Sequence, residues 1–349
     1  MKILYGVPSE GMGHATRSKV IIRHLLDCGH EVRIATSDRA YTFLENDFPG
    51  LLYRIEGFHL SYHDGELQKF KSFTQILGNA PESILTNIKQ FYKVHQNYKP
   101  DLIISDFESF TYFFAKLHHI PLLSIDNMQV INRCSIDIAI PFLEKNSYLL
   151  AKNIIKFKVP YCENYLITSF FSVQIEKENT RIIPPIIRDE IIAAVPSVGS
   201  HILVYQTSSS QTDLIPVLQK VADHQFRVYG FNVDEEHGNV LLKSFSEKGF
   251  IDDLANAHAV VTNGGFSLIS EAVFLHKPVC AVPIKDQFEQ FVNAAYIEKL
   301  GYGRHFNSFT ADFIKAFLYD TDRFRENVNS YLQDGNTETF NILDSILQT

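Results

Sequence analysis

The stretch Ala257–Gly303, AHAVVTNGGFSLISEAVFLHKPVCAVPIKDQFEQFVNAAYIEKLGYG, decides the fold. Ala259–Thr262 is a short apolar run rich in β-branched residues, and Asn263-Gly264-Gly265 breaks it. From Ser267 to His276 the apolar residues recur at helical spacing, and Lys277-Pro278 closes that segment. Val279–Val282 reads as a buried strand whose end carries Pro283, Lys285, Asp286 and Gln287. Strand, glycine turn and helix in that order make a βα turn suited to an anion. Glycine lets the backbone approach a ligand, and the N–H groups of a helix start favour phosphate. Open α/β sheets place their ligands outside the carboxyl ends of the strands.

The N-terminus repeats this plan. Lys2–Val7 reads as a strand, Pro8–Gly13 as a loop, Ala15–Cys28 as a helix ended by Gly29, and Glu31–Thr36 as the next strand. The right-handed crossover rule makes the two strands parallel neighbours. The loop Ser9–His14 has Gly11-x-Gly13 but Thr16 where a dinucleotide fingerprint has its third glycine, and no Walker sequence occurs. A polar loop is expected at Ser61–Lys71 and a long helix at Phe73–Tyr98. The run Leu102–Ser105 ends in Asp106-Phe107-Glu108, which puts carboxylates at a strand end, and Leu122–Ile125 leads into Asp126. Tyr148–Val159, with Lys152, Lys156 and Lys158 among apolar residues, reads as an amphipathic surface helix, with a membrane-facing or lipid-acceptor patch as the alternative.

A second βα series starts at Ile202–Tyr205, followed by the hydroxyl-rich loop Gln206–Ser210, a helix near Asp213–Asp223 and a strand at Phe226–Tyr229. Proline and serine interrupt the pattern between Pro185 and His201, so the chain divides into residues 1–190 and 191–349. The alternative is that the last helices cross back to the first domain. The expected fold is α/β, with two Rossmann-like, doubly wound domains facing across a cleft.

Composition narrows the function classes. A chain of 349 residues, 45% hydrophobic, can bury two ordinary cores. A net charge of −8 and a pI near 6.0 argue against nucleic acid as a partner. Cys28, Cys134, Cys162 and Cys280 form no CxxC and lie mostly in apolar segments, so buried thiols are expected rather than disulfides or zinc ligands. No stretch approaches the ~20 apolar residues of a membrane span. The expected location is the cytoplasm, with peripheral contact at the inner membrane face as an option.

Gly264-Gly265, Ser267, Glu271, Pro278, Pro283, Asp286-Gln287 and Asn293-Ala294 together resemble the donor-binding motif of GT-B nucleotide-sugar glycosyltransferases, closest to the UDP-glucuronosyltransferase-like group. Glu10–Arg17 is similar to the first loop of that superfamily, which includes the lipid-linked N-acetylglucosaminyltransferase of peptidoglycan synthesis. The resemblance implies that the N-terminal domain binds the acceptor and the C-terminal domain the donor. Gly265, Phe266 and Ser267 would hold the pyrophosphate with their backbone N–H groups, with a hydroxyl of Ser208 or Ser209; Gly13 and Gly264 belong to the same donor site. Glu271 would accept from the ribose hydroxyls, Phe250 and Ile251 would line the base slot with Ile251 offering backbone hydrogen bonds, and Asp286 and Gln287 would read the sugar. Many relatives have histidine where this chain has Asn263, which leaves a neutral amide hydrogen bond in its place.

For the chemistry, an inverting transfer through an oxocarbenium-like transition state needs a base for the acceptor hydroxyl and a stabiliser for the departing diphosphate. The resemblance implies His14 as that base and Asp106 as the carboxylate orienting it, with Asp126 and Glu108 as weaker candidates. His118-His119 reads as a helix-end pair, and no metal or cofactor is expected beyond a nucleotide-sugar co-substrate, UDP-linked by the resemblance. The acceptor is a hydroxyl compound, with a lipid-linked or cell-envelope molecule as one option. The alternatives are a nucleotide-sugar epimerase of the same fold and a non-catalytic nucleotide-sugar-binding protein.

Overall fold

Ile3, Leu4 and Tyr5 of strand β1 (Lys2–Gly6) are buried without the in–out alternation of a half-exposed strand, which is what a central parallel strand covered on both faces requires. Helix α1 (Met12–Asp27) carries the chain to β2 (Glu31–Thr36), and α2 (Asp38–Asp47) carries it to β3 (Leu52–Arg54). Helix α3 (Ala80–Asn97) leads to β4 (Leu102–Ser105), α4 (Ser109–His118) to β5 (Leu122–Asp126), and α5 (Lys145–Lys158) precedes β6 (Asn164–Thr168) and β7 (Thr180–Ile183). The seven strands pair in the order β7-β6-β5-β4-β1-β2-β3, all parallel. The computed structural model describes residues 1–9, 11–56, 62–63, 66–67, 80–206 and 213–348. The expected loop at Ser61–Lys71 lies largely outside the described residues, as do positions 73–79 of the expected helix.

Two compact units emerge from the contacts within the chain. The first holds residues 1–137, 141–186 and 337–349; the second holds 138–140 and 187–336. The chain thus enters the second unit after Ile186, a few residues before position 190, and leaves it after Asn336. In the second unit β8 (His201–Tyr205), α6 (Leu214–Gln219), β9 (Gln225–Tyr229), β10 (Glu235–His237), β11 (Val240–Leu242), α7 (Glu247–Ala255), β12 (Ala259–Thr262), α8 (Phe266–Phe274), β13 (Val279–Ala281), α9 (Phe288–Lys299) and β14 (Gly303–His305) follow in order. Their sheet runs β10-β11-β9-β8-β12-β13-β14, parallel except for β10. Helices α10 (Ala311–Tyr319) and α11 (Thr321–Val328) cover it, with Ile314, Phe317 and Phe324 joining Ile202, Val204 and Val261 in one core. The last helix, α12 (Thr337–Leu347), packs in the first unit, where Leu343 is buried among Ile21, Ile22, Leu25 and Ile183.

Each sheet has one place where successive connections depart in opposite directions: between β1 and β4 in the first unit, and between β8 and β12 in the second. Ligand crevices form at such switch points, at the carboxyl ends of the strands. At the first, Gly6 lets α4 pass close by, since a Cβ there would lie 2.2 Å from Thr111 Oγ1. Two expectations need correction. Helix α1 starts at Met12 rather than Ala15, and Cys28 is exposed, because it caps α1 at the surface, whereas Cys134, Cys162 and Cys280 are buried.

Candidate active site

His14 and Asp106 meet at the first switch point. β1 and β4 are paired with Gly6 opposite Ser105, and the Asp106 N–H donates to the Gly6 carbonyl at 2.9 Å. His14 stands in the first turn of α1, not in the loop before it, and its Nδ1 lies 2.9 Å from Asp106 Oδ1. Asp106 is fully buried and takes three further donors: Arg17 Nε at 2.8 Å, Ser18 Oγ at 2.9 Å, and Arg17 Nη2 in a very short contact. Arg17 Nη1 also donates to Asn127 Oδ1. Nη2 lies 2.7 Å from His14 Nδ1 as well, but that nitrogen cannot both donate to the carboxylate and accept from the guanidinium. An ionised carboxylate only accepts, so it takes a hydrogen from each, and Nδ1 carries the imidazole proton. In the neutral imidazole the other ring nitrogen, Nε2, then keeps its lone pair.

The electrostatics follow from this packing. Burial alone would raise the Asp106 pKa, but Arg17 and His14 outweigh it and hold the carboxyl at about 2. Since the folded value lies below the unfolded one, the stabilisation is present above about pH 4 and is lost as pH falls through about 2. Glu108 and Asp126 shift upward, chiefly through burial, and so favour the folded state on acidification. The contribution of Asp106 is therefore expected as a difference: denaturant unfolding of the wild type should lose roughly 2 kcal/mol more between pH 5 and pH 2 than that of Asp106→Asn. Equal pH slopes for the two proteins would count against it.

The weaker carboxylate candidates have local duties. Glu108 caps α4, accepting from the Phe110 and Thr111 N–H groups, both at 2.7 Å. Asp126 accepts from Ser124 Oγ at 2.7 Å and the Gln129 N–H at 2.8 Å. His118 stacks on His95 at the end of α4, with ring centroids 4.2 Å apart. Gly13 lies in the first turn of α1, its carbonyl accepting from Thr16 Oγ1 at 3.0 Å. Arg17 was missed by sequence reasoning, although it lies three residues after His14 and hence on the same helix face.

In the second unit, β12 ends at Thr262, beside Ala281 of β13, so the loops after both strands share one edge of the sheet. Gly264 has φ +93°, and a Cβ there would lie 2.9 Å from the Gln290 carbonyl, which explains glycine at this position. Its carbonyl accepts from Asn293 Nδ2 at 3.0 Å, so Asn293 braces the turn from α9. Gly265 caps α8 with an ordinary φ, and nothing lies within 4 Å of where its side chain would be. Phe266 is buried and Ser267 partly exposed in the first turn. Asn263 is buried and gives one amide hydrogen to the Val282 carbonyl at 3.3 Å, toward the neighbouring strand. Asp286, with φ +65°, and Gln287, the N-cap of α9, are both partly exposed in the loop after β13. Ser208 and Ser209 lie outside the described residues.

Two predicted donor residues have partners the sequence did not reveal, and a third sits within a helix. Glu271 receives Arg188 in a two-pronged ion pair, Nε to Oε1 at 2.6 Å and Nη2 to Oε2 at 2.7 Å, and Arg188 also reaches Glu247 at 3.2 Å. Arg188 and Glu271 are both buried. Phe250 meets Tyr205 and Tyr229 edge-on, with centroids 5.6 and 5.1 Å apart, as a core aromatic. Ile251 lies in the second turn of α7, beyond the N–H groups that a helix start leaves unpaired. Asp253 on the same helix accepts from the Tyr229 hydroxyl and Lys243, both at 2.6 Å, and from Arg227.

The family model for "Glycosyl transferase family 1" matches residues 1–321. The chain belongs to this glycosyltransferase family. A Methanosarcina mazei protein described as an uncharacterized glycosyltransferase is 24% identical to the transferase over 339 residues, covering 87% of this chain and 85% of its own. The crystal structure of the glycotransferase of kitacinnamycin superposes on the transferase with a TM-score of 0.70 at 16% identity, covering 99% of this chain and 98% of its own. Phytolacca americana UGT2, complexed with UDP-2-fluoro-glucose and pterostilbene, gives 0.68 at 14% identity, covering 100% and 99%. These structural likenesses establish the GT-B fold of the transferase. Among its described residues, no helix is long and apolar enough to cross a membrane.

Proposed function

We propose that this glycosyltransferase moves a sugar with inversion from a UDP-linked donor to a hydroxyl acceptor. The observation that carries the proposal is the His14–Asp106 pair, joining the first turn of α1 to the carboxyl end of β4, with Arg17 fixing the carboxylate. In this reaction Nε2 takes the proton of the acceptor hydroxyl, the oxygen bonds to the anomeric carbon, and the bond to the diphosphate breaks on the opposite face. Asp106 stabilises the imidazolium that forms. The departing diphosphate rests at the start of α8, where backbone N–H groups and the helix dipole meet its charge without a metal. Glu271, placed by Arg188, faces the ribose, and Asp286 and Gln287 face the sugar. The UDP preference is supported by the donor-motif resemblance and by the ligand of the Phytolacca americana structure.

The proposed acceptor is lipid-linked, reached by peripheral contact with a membrane at the cytoplasmic face. Support comes from α5 and the turn before it, where Phe142, Leu143, Leu149 and Phe157 are exposed among Lys145, Lys152 and Lys156.

The test is a panel of nucleotide sugars with and without hydroxyl acceptors, product identity being read by mass spectrometry and NMR. Glycoside product with inverted anomeric configuration supports the proposal; isomerised nucleotide sugar in the absence of acceptor would instead indicate an epimerase. Gly265→Asp separates donor binding from folding. Its side chain has room and can cap α8, yet its carboxylate sits where the diphosphate is proposed. Calorimetry should show roughly tenfold weaker UDP binding with an unchanged or raised unfolding midpoint; unchanged UDP affinity would sink the α8 assignment.

A further inference from the structure

Away from that site, three side chains of different chemistry converge on the surface of the first unit. His24 and Cys28 lie one turn apart at the end of α1, and Asp344 comes from α12. His24 Nε2 is 2.9 Å from Asp344 Oδ1 and 3.7 Å from Cys28 Sγ. One ligand atom from each residue falls within 4.8 Å of the others. Phe340 stacks flat on the imidazole at 3.9 Å and 2°, which fixes the ring plane. We propose that His24, Cys28 and Asp344 bind one zinc-type divalent ion, with water in the fourth position, as a clip between the first and last helices.

One rotation makes the site fit that ion. Tetrahedral zinc with bonds of about 2.0 Å to nitrogen and about 2.3 Å to sulfur separates those two ligands by about 3.5 Å; Cys28 Sγ stands 3.7 Å from Nε2 and 4.0 Å from Nδ1, so the exposed thiol must turn about its Cα–Cβ bond to reach a metal on the Nε2 lone pair. The nitrogen–carboxylate edge would open from its hydrogen-bonded length to about 3.4 Å, which a carboxyl rotation achieves. On binding, the thiol proton leaves to solvent and the Nε2 proton shifts to Nδ1, so that thiolate, imidazole and carboxylate face the cation. Nitrogen, sulfur and oxygen donors together favour zinc over magnesium or calcium. The clip would join residues more than three hundred positions apart, and so restrain α12, whose Leu343 enters the unit core.

The experiment uses the full chain, stripped of metal and kept reduced. Cobalt(II) titration should saturate at one equivalent with a sulfur-to-metal charge-transfer band and tetrahedral d–d bands, and zinc(II) should displace it. Cys28→Ser should lose the charge-transfer band, and His24→Ala and Asp344→Asn should each weaken cobalt binding at least tenfold. Zinc(II) should raise the unfolding midpoint of the wild type by several degrees and leave that of Cys28→Ser unchanged. Absence of a thiolate band at saturation, or equal binding by all three variants, overturns the proposal. Because the three side chains lie at the surface, circular dichroism of each metal-free variant should match the wild type, and loss of fold in one leaves the other two to decide.

Discussion

His14→Ala is expected to lower kcat by about 10²–10⁴-fold, the range spanned by loss of a positioned general base. The effect should fall on kcat and spare the affinity for the nucleotide, because the donor contacts proposed here come from α8 and the loop after β13, and His14 from α1. Steady-state kinetics with saturating donor, together with calorimetric UDP binding, separate the two. The imidazole is partly exposed, so its removal leaves no sizeable cavity, and the unfolding midpoint should stay within a few degrees of the wild type. A variant retaining more than a tenth of wild-type kcat would remove His14 from the role of base.

Asp106→Ala is expected to destabilise the first unit by about 3–5 kcal/mol, measured by denaturant unfolding. The cost arises from what is left behind. Arg17 is buried, and without the carboxylate its guanidinium loses two hydrogen bonds and its counter-charge while Asn127 remains its neutral partner. The Ser18 hydroxyl loses its carboxylate acceptor as well and keeps only its hydrogen bond with Tyr5. The double variant Arg17→Met, Asp106→Leu removes both charges and should recover much of the loss, since replacing a buried ion pair by apolar side chains is often near neutral. A single-variant cost below 1 kcal/mol, or a double variant no more stable than Asp106→Ala, would show that the pair is not the anchor of this corner. The same side chain therefore serves two ends: it orders the imidazole for chemistry and neutralises the arginine that holds α1 against the sheet.

Much of the fold was legible because its signals are local. Ala259–Thr262 and Leu102–Ser105 are short apolar runs bounded by turn residues, and both are central strands. Gly264 announces a close backbone approach that no side chain would permit. Strands β10, β11 and β14 were not foreseen, since three residues such as Glu235-Glu236-His237 carry no periodicity and pair only because a neighbouring edge is open. The helical setting of Ile251 was not legible for a related reason. Phe250-Ile251-Asp252-Asp253 looks the same in a loop or a helix, and the Ser246 cap, bonding the Gly249 N–H, starts the helix upstream of it.

By itself the sequence determined two βα series, their anion-suited turns, and the placing of His14 and Asp106 at strand ends of one sheet, because periodicity, glycine and strand termini are written within a few residues. Only the tertiary structure decided the partners: Arg17 and Ser18 for Asp106, Arg188 for Glu271, Val282 for Asn263, and Asp344 for the His24–Cys28 pair. Those contacts join residues 19 to 320 positions apart. Which charge meets which is settled by the strand order and by where each helix lands, and no local pattern encodes either.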